Sequence, residues 1–319
     1  MSCENYTRLN NVSSIGQNFL IEQLEDNLKS FFDWGLLNIG GFVNIKTPTT
    51  GINNNLPHQL KPTNDPSFTD GRVWQISRKD IVWETGVNFN GYNPVPVSGI
   101  NINNAHYPAP TGSGSIGYHI NYPLGRVIFD KPLTNSNVSM EYSYRWCQIH
   151  KSSSSLWWTE LQGDLTNPNP QFLQKNKGDF NISANHRVQM PCIIIEPISR
   201  SSSTPWQLGG TDFMIDQDIL LHIFTERAAD KNTLADIIRL QKHKTIWLYD
   251  IKKVVNSGVN GLNYKGSINS SGKIYPDLVM DPNFRWYKCF FKDINIMDME
   301  TSNSSLFWCT IRLTAEVII

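Results

Sequence analysis

Apolar residues at Ile15, Phe19, Leu20, Leu24, Leu28, Phe31 and Phe32 recur at helical spacing, which predicts an amphipathic helix over residues 13–34. Ser13 or Ser14 caps it, Gly35 stops it, and Glu22, Glu25, Asp26 and Lys29 fill the other face. Its apolar stripe reads as a core face. A strand is expected at residues 39–45. Residues 46–70 are rich in Thr, Asn and Pro, and strand-like segments follow at 71–84, 117–131 and 137–149. The last is the best patterned. Val138, Met140, Tyr142, Tyr144 and Trp146 alternate with Ser139, Glu141, Ser143 and Arg145, the signature of a half-buried antiparallel strand. Residues 125–130 are expected to pair with it through 131–136. Residues 152–189 read as mostly irregular connection.

The last third changes character. Strands are expected at 191–197, 218–226 and 246–251, with a helix that begins at an Asp230 cap and ends near His243 and Lys244. Leu234, Ile237, Ile238 and Leu240 form that helix's buried side. Two long strands close the chain. In the final one Phe307, Cys309, Ile311, Leu313, Ala315 and Val317 alternate with Thr310, Arg312, Thr314 and Glu316, so one face is core and the other is wet or at an interface. Polar residues on a long terminal strand also restrain wrong edge pairing. The fold class expected is α+β: a mixed sheet flanked by helices over 186–319, an inserted small all-β module over 48–185, and a helix and strand from 1–47 packed on the C-terminal sheet.

Composition narrows the function. A chain of 319 residues with 39% hydrophobic and 11% aromatic content fills a sizeable core and is long enough for two domains. Its 28 basic and 28 acidic residues cancel, which gives no basic face for sequence-specific nucleic-acid binding and little self-repulsion between packed copies. Asn, at 33 residues, clusters in loops such as 51–55 and 100–104, where it tolerates turn conformations. The five cysteines (Cys3, Cys147, Cys192, Cys289, Cys309) are scattered and read as buried small apolar residues of a reducing compartment. The six N-x-S/T sequons follow from Asn and Ser abundance. The N-terminus has no signal-peptide pattern, and no run of 18 apolar residues suggests a membrane span.

Chemical motifs are weak. Residues 112–117, Gly-Ser-Gly-Ser-Ile-Gly, match a dinucleotide fingerprint by letter, but proline-rich chain precedes them and an extended segment follows, so a hairpin loop is expected. Asp212, Asp216, Asp218, Glu226 and Asp230 make an acidic edge without the spacing of a calcium loop. None of the seven histidines forms an H-x-x-H or H-E-x-x-H pair, and His222 reads as a satisfied core or interface histidine. No G-x-S-x-G or other catalytic signature occurs, and no cofactor or metal site is expected. Trp34, Trp74, Trp83, Trp157, Trp158, Trp206 and Trp286 read as core or interface residues in preference to a glycan platform. The expected interface set is Trp157, Trp158, Trp206, Arg312, Thr314 and Glu316.

The order of elements carries a resemblance. Residues 190–196, Met-Pro-Cys-Ile-Ile-Ile-Glu, the linker with Leu208, Gly209 and Gly210, and residues 218–225, Asp-Ile-Leu-Leu-His-Ile-Phe-Thr, begin it. The helix with Asn232–Ile238, the strand with Trp247-Leu-Tyr-Asp250, and the closing 311–317 complete it. This pattern resembles the tail terminator and tail-completion (neck) proteins of long-tailed bacteriophages over about 130 residues. The resemblance implies a hexameric ring that caps the tail tube and meets the neck, in a virion protein assembled in the host cytoplasm. Its partners would be other copies of itself and neighbouring tube, sheath and connector proteins, with no membrane. Residues 125–130 and 138–144 look like small β domains of other phage neck and tail proteins, and such an insertion departs from compact tail terminators. The alternative role is a baseplate or other tail component that binds a glycan through the β module. Ring assembly needs a surface that meets another copy head to tail, and long loops with an inserted module give that reach.

Overall fold

In a computed structural model, residues 19–47, 57–109, 116–155, 158, 188–206, 212–303 and 306–319 are described. Helix α1 (Leu20–Asn38) leads to β1 (Phe42–Ile45) and a series of short strands: β2 (Lys61–Pro62), β3 (Val73–Gln75), β4 (Gly99–Ile102), β5 (Ala105–Pro108), β6 (Tyr118–Asn121), β7 (Arg126–Phe129), β8 (Val138–Ser139) and β9 (Tyr142–Arg145). The chain continues through β10 (Gln148–Lys151), β11 (Cys192–Pro205), β12 (Phe213–Thr225), α2 (Ala228–Arg239), β13 (Thr245–Tyr249), α3 (Ile251–Asn256) and α4 (Tyr275–Met280). It closes with β14 (Arg285–Asn303) and β15 (Leu306–Ile318). The molecule is mixed α and β, and mostly sheet.

Six strands form the main sheet in the order β10-β11-β12-β15-β14-β13; β10 and β11 run parallel and the other neighbours antiparallel. Strand periodicity sorts its side chains. Ile193, Ile195, Ile219, Leu221, Ile223, Cys309, Ile311 and Leu313 face a core completed by Leu24, Leu28 and Phe32 of α1 and Leu234, Ala235 and Ile238 of α2. Full burial of a Leu such as Leu28 contributes roughly 1.5–3 kcal/mol, so this helix-covered face dominates the fold.

Gly35 does not stop α1. The helix runs three residues further, and its end is set by Gly40 at φ +88°, whose N–H reaches Leu37 O at 3.1 Å, while Gly41 N–H reaches Leu36 O at 2.8 Å. That left-handed C-terminal cap needs glycine at Gly40. The predicted start at residues 13–18 lies outside the described residues. Glu25 is not on an outer face either: it is buried and accepts hydrogen bonds from the Ser152 hydroxyl and the Ser153 N–H, both at 3.2 Å.

The strand predicted at 39–45 is β1, and it pairs with β9 of the β module, not with the main sheet. Conversely, β10, within the predicted module, joins the main sheet beside β11. The module itself holds β2-β3-β7-β6 and β5-β4-β8. Its core includes Trp74, Tyr118, Val127, Phe129, Val138, Met140 and Tyr142. Residues 126–129 pair with β3 and β6, not with the strand that follows, because Leu133 N–H bonds to Gly71 O and Asn137 N–H to the Asn103 side chain, carrying the chain to the other sheet. The alternation read at 138–146 holds through Tyr142 and then fails. Ser143 and Arg145, expected outside, are buried.

Arg145 joins the two parts. Its guanidinium pairs with Asp80 at 3.1 Å, with Glu84, and with Asp33 of α1 at 3.6 Å. Burial pushes the Asp33 carboxyl up to about 7, against the opposing pull of Arg145 and Lys29, and burial also raises Glu84.

Three further expectations change in the C-terminal part. Asp230 lies in the first turn of α2, whose N-cap is Arg227. Leu240 is 77% exposed because α2 ends at Arg239 and the chain turns away, with His243 at φ +66°. The strand predicted to reach 251 ends at Tyr249, since Asp250 caps α3 by accepting from Lys253 N–H at 3.0 Å.

Candidate functional site

Helices α1 and α2 pack on one side of the main sheet, and the candidate site is the other side. Period-2 alternation puts Cys192, Ile194 and Glu196 of β11, Asp216, Asp218, His222 and Phe224 of β12, and Trp308, Thr310, Arg312, Thr314 and Glu316 of β15 on that face. Its composition is graded along the strands.

At one end the face is apolar and aromatic. Phe224 stacks on Trp308 at 5.5 Å between centroids, and Trp158, 3% exposed, lies over His222 at 4.6 Å. His222 bridges three strands: Nε2 meets Glu196 Oε2 at 2.8 Å and Nδ1 meets Thr310 Oγ1 at 3.1 Å. Hydroxyl, imidazole and carboxylate thus stand in a relay-like line. Thr310 is 8% exposed and Trp158 covers the imidazole, so the line closes the face instead of presenting a nucleophile.

Toward the other end the face becomes charged. Asp218, 4% exposed, accepts from Arg312 Nη2 at 2.6 Å and from the Thr314 hydroxyl at 2.7 Å. Lys292 of β14 bridges Asp216 at 2.8 Å and Glu316 at 3.1 Å, and these hydrogen bonds hold its ammonium above the ordinary lysine range. Beyond them, at the β13 edge, is a groove of about 420 Å³ walled chiefly by Trp247, Trp286, Tyr287, Lys288 and Phe290.

Of the expected interface residues, Arg312, Thr314 and Glu316 are gathered on this face. Trp158 is in its covered half. Trp206 stands apart at the end of β11, 52% exposed, and Trp157 lies outside the described residues. Sequence reasoning missed Glu196, Lys292 and the groove. Lys288, Phe290 and Lys292 alternate with buried Cys289 and Phe291, which was the available signal for a second face on β14.

The other motifs come apart. Gly112 and Gly114 lie outside the described residues, and Gly117 enters strand β6, with no helix at its end. Asp216 and Asp218 are engaged by cationic side chains, and among the described residues no group of three His, Cys, Asp or Glu is placed to hold a metal ion. Cys147, Cys192, Cys289 and Cys309 are free and buried; burial pushes the Cys192 and Cys289 thiols up to about 12. Among the described residues no helix is long and apolar enough to cross a membrane.

Compared with known proteins, the chain matches no family model and no curated protein. The functional reading therefore rests on the sheet and its open face.

Proposed function

We propose that this chain is a non-enzymatic structural protein of a long-tailed phage virion, a tail terminator whose copies close into a ring at the head–tail junction. The observation that carries the reading is the two-sided sheet. One face is sealed by α1 and α2; the other is covered by Trp158 at its aromatic end and carries ordered ion pairs and the aromatic groove over the rest. Such a face suits burial against another protein, where fixed polar pairs set register and aromatic groups supply contact area. The β module extends from the same body through Arg145 and β1, giving a second surface for neighbours.

The glycan-binding alternative draws on fewer residues. Trp74, Tyr118, Tyr122 and Tyr142 of the β module turn inward, leaving Tyr92 at 51% and Phe89 at 39% exposed. A carbohydrate platform needs exposed rings, and these two are a small one.

Native mass across a range of concentrations tests the proposal. A ring of six 36.4 kDa chains has a mass of about 218 kDa, and a species of that size is the expected result. A chain that stays monomeric at every concentration, alone and with tail tubes, overturns it.

A further inference from the structure

Two features at opposite sides of the main sheet lie on one transverse row; β10 pairs only with Cys192–Ile195, so among the described strands β11 is outermost at this height. Thr204 is opposite Met214, and Met214 is opposite Ile318; next to it Val317 is opposite Cys289, and Cys289 is opposite Ile246. Four interstrand spacings, about 19 Å, separate the edges along this row.

Just past its β11 end, Trp206 is 52% exposed, and its backbone N–H bonds to Asp212 O at 2.9 Å. The indole therefore stands on a closed hairpin base, with exposed Asp212 beside it. At the β13 end is the aromatic groove of about 420 Å³. Its lining holds Lys288 and also Glu316, the latter paired with Lys292 at 3.1 Å; around Trp247 the charge is cationic, with the Arg285 guanidinium 4.4 Å and the Lys288 ammonium 4.6 Å from the ring centre.

We propose that this groove receives Trp206 from a neighbouring copy of the chain, with that copy's Asp212 facing Arg285 and Lys288. The inference rests on the ring reading and names its contact. A knob and a socket at the same height on opposite edges of one sheet meet head to tail, the geometry that closes rings; a two-fold contact would instead set one patch against itself. An indole in an aromatic cleft is the kind of anchor that concentrates binding energy, and the opposed charges fix its direction of approach. Side chains make this contact rather than an added strand. The outer edge of β13 is already occupied, by Asn27 at Tyr249 and by the Tyr275 hydroxyl at Trp247 O.

Cross-linking tests it. Pro205→Cys, beside Trp206, and Thr245→Cys, in the groove lining, are made separately in a Cys3→Ser background that keeps the indole, mixed and oxidised, while the native mass of the unaltered chain is followed in parallel. Both sites are exposed, so folding is not at risk. Disulfide-linked dimers in the mixture, and in neither variant alone, are expected. Trp206→Ala is expected to weaken self-association at least tenfold. Linking of Pro205→Cys to itself, or assembly above monomer with no link in the mixture, overturns this contact and leaves the ring reading standing. Assembly undiminished by Trp206→Ala has the same meaning. An unaltered chain that never assembles overturns both.

Discussion

Asn27 of α1 completes strand β13 as a neighbouring strand would. Its Nδ2 donates to Tyr249 O at 3.0 Å, and its Oδ1 accepts Tyr249 N–H at 2.8 Å. A buried amide thus satisfies both backbone groups at an edge where water is excluded, and Asn27 itself is fully buried. Asn27→Leu leaves that N–H and C=O without partners. The expected loss is about 3 kcal/mol of unfolding free energy in urea titration, since each orphaned buried group costs about 1–3 kcal/mol. A loss below about 1 kcal/mol would show that the helix does not close this edge.

Arg145 has the larger effect. Replacing it with Met leaves Asp33, Asp80 and Glu84 without their shared counter-ion, and removal of one partner from such a site costs about 3–5 kcal/mol. An unfolding midpoint within a degree of the unaltered chain's would contradict the central place given to this residue.

Asp33 makes that joint respond to pH. Its carboxyl is pushed up to about 7 in the fold, from an ordinary value near 4, because burial penalises the charged form. The folded state therefore holds a proton that the unfolded state has lost between about pH 4 and 7. The stability so contributed is complete below pH 4 and is lost as pH rises through 7. Asp33→Asn abolishes this dependence. The stability of the unaltered chain relative to Asp33→Asn should fall by about 1–3 kcal/mol from pH 5 to pH 8. A difference that is flat, or that rises with pH, would refute the raised carboxyl.

These examples mark where the sequence was legible. The last strand could be read because each odd residue from Cys309 to Val317 is core and each even one from Thr310 to Glu316 is polar. The same rule misread Arg145, since alternation treats a charge as outward, whereas this one is buried by partners 61 and more residues away in sequence. Strand β11 extends further than its apolar run because Ser201–Pro205 pair with Phe213–Gln217 through backbone groups, with no hydrophobic signature of their own, whereas Phe213, Met214 and Ile215 were an available signal for the earlier start of β12. Gly35 was a poor stop signal because a helix tolerates one glycine, while Gly40 is required by its positive φ. Of the site, the β15 residues were visible and the Glu196–His222–Thr310 line was not, because it joins three strands that only folding brings together.

The two ion pairs of the open face should differ in worth. Asp218 has a side chain only 5% exposed, so Arg312→Met takes the paired cation away from a buried carboxylate, and a loss of about 2–3 kcal/mol is expected. Lys292 is 42% exposed, and Lys292→Met should cost under about 1 kcal/mol, less still in 1 M salt. Urea titrations at low and high salt check both. Equal losses for the two variants would mean that burial does not grade this face as described.

His222 ties β11 to β15 through β12, so its bond to Glu196 should be energetically coupled across the strands. In a double-mutant cycle of Glu196→Gln and His222→Phe, each single change is expected to destabilise the chain, and the pair by less than the sum. The coupling expected is about 1–2 kcal/mol, the range for a charge-assisted hydrogen bond that is largely shielded from water. Thr310→Val supplies the third side of the line and should cost about 1 kcal/mol, because the imidazole Nδ1 then loses its partner at 3.1 Å. Additive single changes, with coupling under about 0.3 kcal/mol, would reduce the three residues to neighbours in a sheet. Measured coupling would make them a clamp that holds β11, β12 and β15 together beneath Trp158.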